Sequence, residues 1–158
     1  MRSHRKETKQ RKRTIRVWTL EEATAAVPYI AAVVRSLRDH WLEAAAHYKR
    51  VERMDKRPGR PNRSLLIAKE VALKDARDAE SRFGDAQAEL AALDIYSLEP
   101  GRGQALVPFV YENELAWFLF DLYDSQSFRY WRFHTDPLDA RRAISQVLAP
   151  PTETKRSA

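Results

Sequence analysis

Ile30, Val34, Leu37, Trp41, Ala44, Tyr48 and Val51 follow one another in alternating steps of four and three. Ala72, Ala76, Ala79, Phe83, Ala86, Leu90 and Leu93 repeat the pattern further along the chain. Alternating fours and threes put each set on one narrow helical stripe, the spacing of a coiled-coil seam. The first seam is bulky and the second mostly alanine, so large side chains of one helix can fill room left by the other. Between them, Asp55-Lys56-Arg57-Pro58-Gly59-Arg60-Pro61-Asn62-Arg63 breaks any helix with two prolines and a glycine. A connection this short makes the two helices antiparallel neighbours. The spacing therefore predicts a helical hairpin over 28–93.

The flanks complete an α+β fold. Thr19 with Glu22 three residues later reads as a capping box, opening a short helix at 20–26. Pro28 then kinks one continuous helix or sits in the first turn of a new one; the second reading is favoured. Beyond Leu93 the period changes from helix to strand. A short strand is expected at Ile95–Leu98, and Gly101-Arg102-Gly103 reads as a turn with no phosphate-loop spacing. Ala105–Tyr111, Leu115–Tyr123 and Phe128–His134 are β-branched and aromatic runs that predict an antiparallel β-meander over 105–134. Three uncovered strands are marginal, so the hairpin or the last helix must pack on one face. Asp136 as cap and Pro137 at the first position predict a C-terminal helix over 137–148, ended by Pro150-Pro151.

Composition narrows the function class. The 158 residues form one expected domain, 18–148, long enough to bury roughly two-thirds of its unfolded surface. Cysteine is absent, which excludes disulfides, thiolate nucleophiles and Cys-based zinc sites. No run approaches the roughly 18 apolar residues of a membrane span, and no apolar run follows the basic start. A cytoplasmic protein without membrane attachment is expected. Arg2, Arg5, Lys6, Lys9, Arg11, Lys12, Arg13 and Arg16 face only Glu7, so residues 1–16 carry +7 while the other 142 carry −1. A segment so polar is expected to be a disordered arm, 1–17, able to hold phosphate backbones or to serve as a solubilising tail. Residues 149–158 read as a second disordered tail.

Order and motifs together resemble a known family. A Thr19-Leu20-Glu21-Glu22-Ala23 opening, a proline at the start of a long helix, a Val107-Pro108-Phe109 strand and an aromatic hairpin ending in Tyr130-Trp131 follow in sequence. The stretch 18–145 resembles the prokaryotic domain-of-unknown-function family 2203. That pattern places a histidine directly after the tryptophan, where this chain has Arg132; His134 stands two residues on. The resemblance implies a fold and no activity.

Four sets of residues carry candidate sites. Lys56, Arg57, Arg60 and Arg63 form a second basic cluster at the hairpin tip, a nucleic-acid candidate with the arm or a solvated turn. Phe128-Arg129-Tyr130-Trp131-Arg132-Phe133 alternates aromatics with arginine. Strict alternation puts Phe128, Tyr130 and Arg132 on one face and Arg129, Trp131 and Phe133 on the other. Both faces are then partly apolar, which favours a core face plus a partner or dimer face over base stacking. His40, Glu43 and His47 share a helical face with metal-ligand spacing, needing Asp75 or Asp78 from the facing helix; satisfied edge histidines are the plainer reading. Ser125, His134 and Asp136 are near in sequence but make no nucleophile–base–orienter set, so no catalytic residue, cofactor or small-molecule substrate is expected. The leading expectation is a non-enzymatic interaction or homo-oligomerising module, with nucleic-acid binding and a metal site as alternatives.

Overall fold

A cap opens the fold. The Glu22 N–H donates to Thr19 Oγ1 at 3.1 Å, starting helix α1 (Leu20–Ala25). The computed structural model describes residues 14–148; most of the basic arm, with Arg2, Arg5, Lys6, Lys9, Arg11, Lys12 and Arg13, and the tail 149–158 lie outside the described residues. Ala26 ends α1, and Pro28 falls in the first turn of a separate helix, α2 (Val27–Asp55), where its missing N–H costs nothing. At the tip Gly59 takes φ +95°, a conformation open to glycine, and Asn62 Oδ1 accepts the Leu65 N–H at 2.8 Å to start α3 (Arg63–Ala92). The predicted hairpin is present, with α2 and α3 packed along each other.

Five of the seven predicted seam positions on each helix are buried: Ile30, Val34, Leu37, Ala44 and Val51 against Ala72, Ala76, Ala79, Ala86 and Leu90. Trp41 and Tyr48 leave the seam and are exposed. Facing alanines draw the backbones close and leave no room for an indole or a phenol. Trp41 instead lies against Gly101, in a 3₁₀ turn (Pro100–Arg102) whose carbonyl also accepts from Arg38 Nε at 3.2 Å.

The sheet has five antiparallel strands in sequential order: β1 (Tyr96–Ser97), β2 (Gln104–Tyr111), β3 (Glu114–Asp121), β4 (Phe128–Phe133) and β5 (Arg142–Ala143). Tyr111 pairs with Glu114 across a two-residue turn in which Glu112 and Asn113 both take positive φ, the geometry that matches strand twist in a tight hairpin. Val107, Phe109, Ala116, Phe118, Phe120, Phe128 and Trp131 form the core face, with Phe109 and Phe118 stacked at 3.7 Å. Ile30, Val33, Val34 and Leu37 of α2 and Ala86 and Leu90 of α3 close it. The core stops there. Residues 38–55 and 63–82 continue beyond it as a two-helix arm of about 27 Å.

Two expectations are corrected. The register between β3 and β4 shifts after Leu119, which pairs with Tyr130 while Phe120 pairs with Phe128. The extra residue, Arg129, is a bulge, and it returns Phe128 to the same core face as Trp131 instead of the face of Tyr130 and Arg132. The C-terminal helix is only Ser145–Leu148 (α4), not 137–148. Asp136 does not cap a helix: its carboxylate accepts the Phe133 N–H and holds Arg142, steering the chain along β4 as β5. Trp131 Nε1 donates to the Ala143 carbonyl at 3.1 Å and fixes that course.

At the other edge, the Trp18 N–H donates to the Pro108 carbonyl at 2.8 Å. Pro108 has no N–H to offer there, so an edge position of β2 suits it.

Candidate functional site

The hairpin tip gathers charge. Arg50 and Arg53 from the last turns of α2 join Arg57 and Arg60 of the loop around a concavity of about 890 Å³. Lys56, Arg57, Arg60 and Arg63 are all exposed, and of these Arg57 and Arg60 line the concavity. Arg50 and Arg53 were missed in the sequence, although their spacing of three put both on the face leading into the loop. Residues 49–69 carry eight basic and two acidic side chains, net +6, while the other described residues carry eleven and eighteen, net −7. Both acids are already engaged: Lys56 Nζ lies 2.9 Å from Glu52 and Lys69 Nζ 2.6 Å from Asp55. Among the described residues, no carboxylate ion-pairs with Arg50, Arg53, Arg57, Arg60 or Arg63. Arg16 is not part of this cluster. Its N–H donates to Asp94 and its guanidinium lies 4.1 Å from the Trp18 ring, at the far end of α3, about 45 Å away.

The flank of α3 beside the tip is apolar. Ile67 is 53% exposed and Val71 54%, four residues apart on one helical face. Arg63 precedes them and Asp75 follows them at the same spacing.

The histidine face of α2 is tied into an ion-pair network. Glu43 reaches both His40 Nδ1 at 3.5 Å and His47 Nε2 at 3.8 Å. The facing helix supplies Arg82, whose Nη1 lies 3.7 Å from Glu43, in place of Asp75 or Asp78. A cation already rests on the carboxylate, and no group of three potential ligands among the described residues could hold a metal ion.

The aromatic run of β4 is mostly interior. Phe128 and Trp131 are core residues, Phe133 is half-buried, and Arg129 is forked onto Asp124 at 2.8 and 2.9 Å. Only Arg129 and Tyr130 of the run are exposed, so it offers no continuous stacking or partner surface. Arg132 is 4% exposed, opposite Trp117 in the register; its Nη1 donates to the Phe133 carbonyl and its Nε has no partner. His134 does different work: its Nδ1 accepts from Trp117 Nε1 at 3.1 Å, which places any proton of the neutral ring on Nε2.

Asp124 and Asp136 are clamped by arginine. Arg129 beside Asp124 and Arg142 beside Asp136 hold both carboxyls at about 2. General acid–base work near neutrality needs shifts the other way. These carboxylates are clamps. No helix among the described residues is long and apolar enough to cross a membrane. A scan against protein-family models finds no match to this chain, and searches of curated proteins and of solved structures find none either.

Proposed function

We propose that this chain is a non-enzymatic interaction module that pairs with a second copy of itself through the exposed flank of α3. Ile67 and Val71 carry the reading: both are branched apolar side chains left more than half exposed on an arm whose own seam is alanine. Charge favours a second copy as the occupant. The apolar pair is flanked by Arg63 on the tip side and by Asp75 and Asp78 on the body side. An antiparallel second copy sets each Arg63 beside the other's acids and brings the four apolar side chains together at the two-fold axis.

Completing the burial of two such side chains on each copy is worth about 4 kcal/mol, which corresponds alone to a dissociation constant of about 1 mM. The dimer is weak and concentration-dependent. Sedimentation equilibrium should show a monomer–dimer equilibrium that Ile67→Glu abolishes. A strict monomer up to about 1 mM removes the proposal.

Membership of family 2203 and residence in the cytoplasm belong to the same proposal. The family-like residues support it in one respect, since Thr19 caps α1, the Pro108 carbonyl holds Trp18 and Trp131 fills the core. They read as a fold signature, in keeping with a binding module.

A further inference from the structure

We infer that the hairpin tip binds the sugar–phosphate backbone of duplex nucleic acid. Arg38, Arg82, Arg102, Arg129 and Arg142 each have a carboxylate within 3.7 Å. Arg50, Arg53, Arg57, Arg60 and Arg63, crowded at one end, have none among the described residues, and the two acids among them are taken by lysines. Arg35, Arg77, Arg132 and Arg141 have no ion-paired carboxylate there either, but they are scattered over the rest of the fold; what sets the tip apart is crowding. Such crowding is repulsive and gains nothing within the chain. A polyanion relieves it, because each phosphate engaged releases condensed counterions.

The rest of the site narrows the ligand. Four arginines line a single concavity, and guanidinium matches phosphate with paired donors. No aromatic side chain lines it, so the stacking platform that single strands require is missing. Asn62 Oδ1 is taken by the α3 cap, so its amide cannot make the paired donor–acceptor contact that reads adenine. Recognition is therefore of backbone, independent of sequence. The net −7 of the remaining described residues repels the same ligand, so the duplex meets the protein end-on at the tip.

Four phosphate contacts predict a slope of log K against log salt of about −3.6 for B-DNA. Affinity then falls about 100-fold between 50 and 200 mM salt. The test uses the full chain, a labelled 20-base-pair DNA duplex of random sequence and an RNA duplex of the same length. A variant carrying Arg50→Gln, Arg53→Gln, Arg57→Gln and Arg60→Gln should flatten the DNA slope by about 3.6 and weaken both duplexes. All four side chains are exposed, and an unchanged helical circular dichroism signal certifies the fold. Ile67→Glu should leave the slope unchanged, which separates this site from the dimer. A slope that the four substitutions do not alter places binding elsewhere and overturns the inference. So does capture of phosphatidylserine vesicles without duplex binding, or no duplex binding at 50 mM salt.

Discussion

Asp136 grips Arg142 in a fork, Oδ2 to Nε at 2.8 Å and Oδ1 to Nη2 at 3.0 Å. The pair decides where the last described residues run. The Arg142 guanidinium in turn lies 4.7 Å from the Phe133 ring and 5.4 Å from the Trp131 ring, so charge, hydrogen bonding and aromatic packing converge on one side chain.

That fork makes the fold acid-sensitive in a defined window. Arg142 first, then the Phe133 N–H, holds Asp136 at about 2, below the ordinary 3.8. Arg129 and the Gln126 N–H do the same for Asp124. A carboxyl depressed in the folded state stabilises it fully above its unfolded value and loses that contribution as pH falls through the folded value. Thermal midpoints should therefore drop between about pH 4 and pH 2. Asp136→Asn should lower the midpoint at pH 7 and flatten the drop. An unchanged pH profile in that variant would mean the fork contributes nothing.

Trp131 is 1% exposed and donates its indole N–H to the Ala143 carbonyl. Trp131→Ala should cost about 3–5 kcal/mol in urea unfolding, the range for emptying a large aromatic site. Trp131→Phe should lose less while freeing β5. Amide exchange at Ala143 and Ile144 would then rise without global unfolding.

The alanine seam predicts intolerance of size. Ala79 is fully buried between α2 and α3, and Ala79→Leu should destabilise by about 1–3 kcal/mol through overpacking. Amide exchange should quicken in the arm, residues 38–82, more than in the sheet. A neutral or stabilising result would show that the seam has slack.

At the tip, Asn62→Ala removes the side-chain acceptor of the Leu65 N–H. The expected cost is about 1 kcal/mol, confined to fraying of the first turn of α3. Loss of protection beyond that turn would contradict an independent arm.

How much could be read without coordinates depended on whether local and distant forces agreed. The hairpin was legible because seam spacing and the proline–glycine break between the seams point one way. Residues 137–148 misled because Asp136-Pro137 carries a sound local helix signal that the distant Arg142 and Trp131 override. The bulge at Arg129 has no residue signature of its own, so strict alternation assigned Phe128 to the wrong face. Trp41 and Tyr48 obey the seam spacing yet leave it, because steric room depends on what faces them. Among the described residues, the tip cluster stays exposed, and its α2 members needed the fold to join the loop.

The bond from Trp18 to Pro108 also bears on how this sheet could grow. A foreign strand approaching that edge of β2 meets a residue with no hydrogen to give and a carbonyl already committed. Edge-to-edge polymerisation is blocked there by the protein's own entering chain.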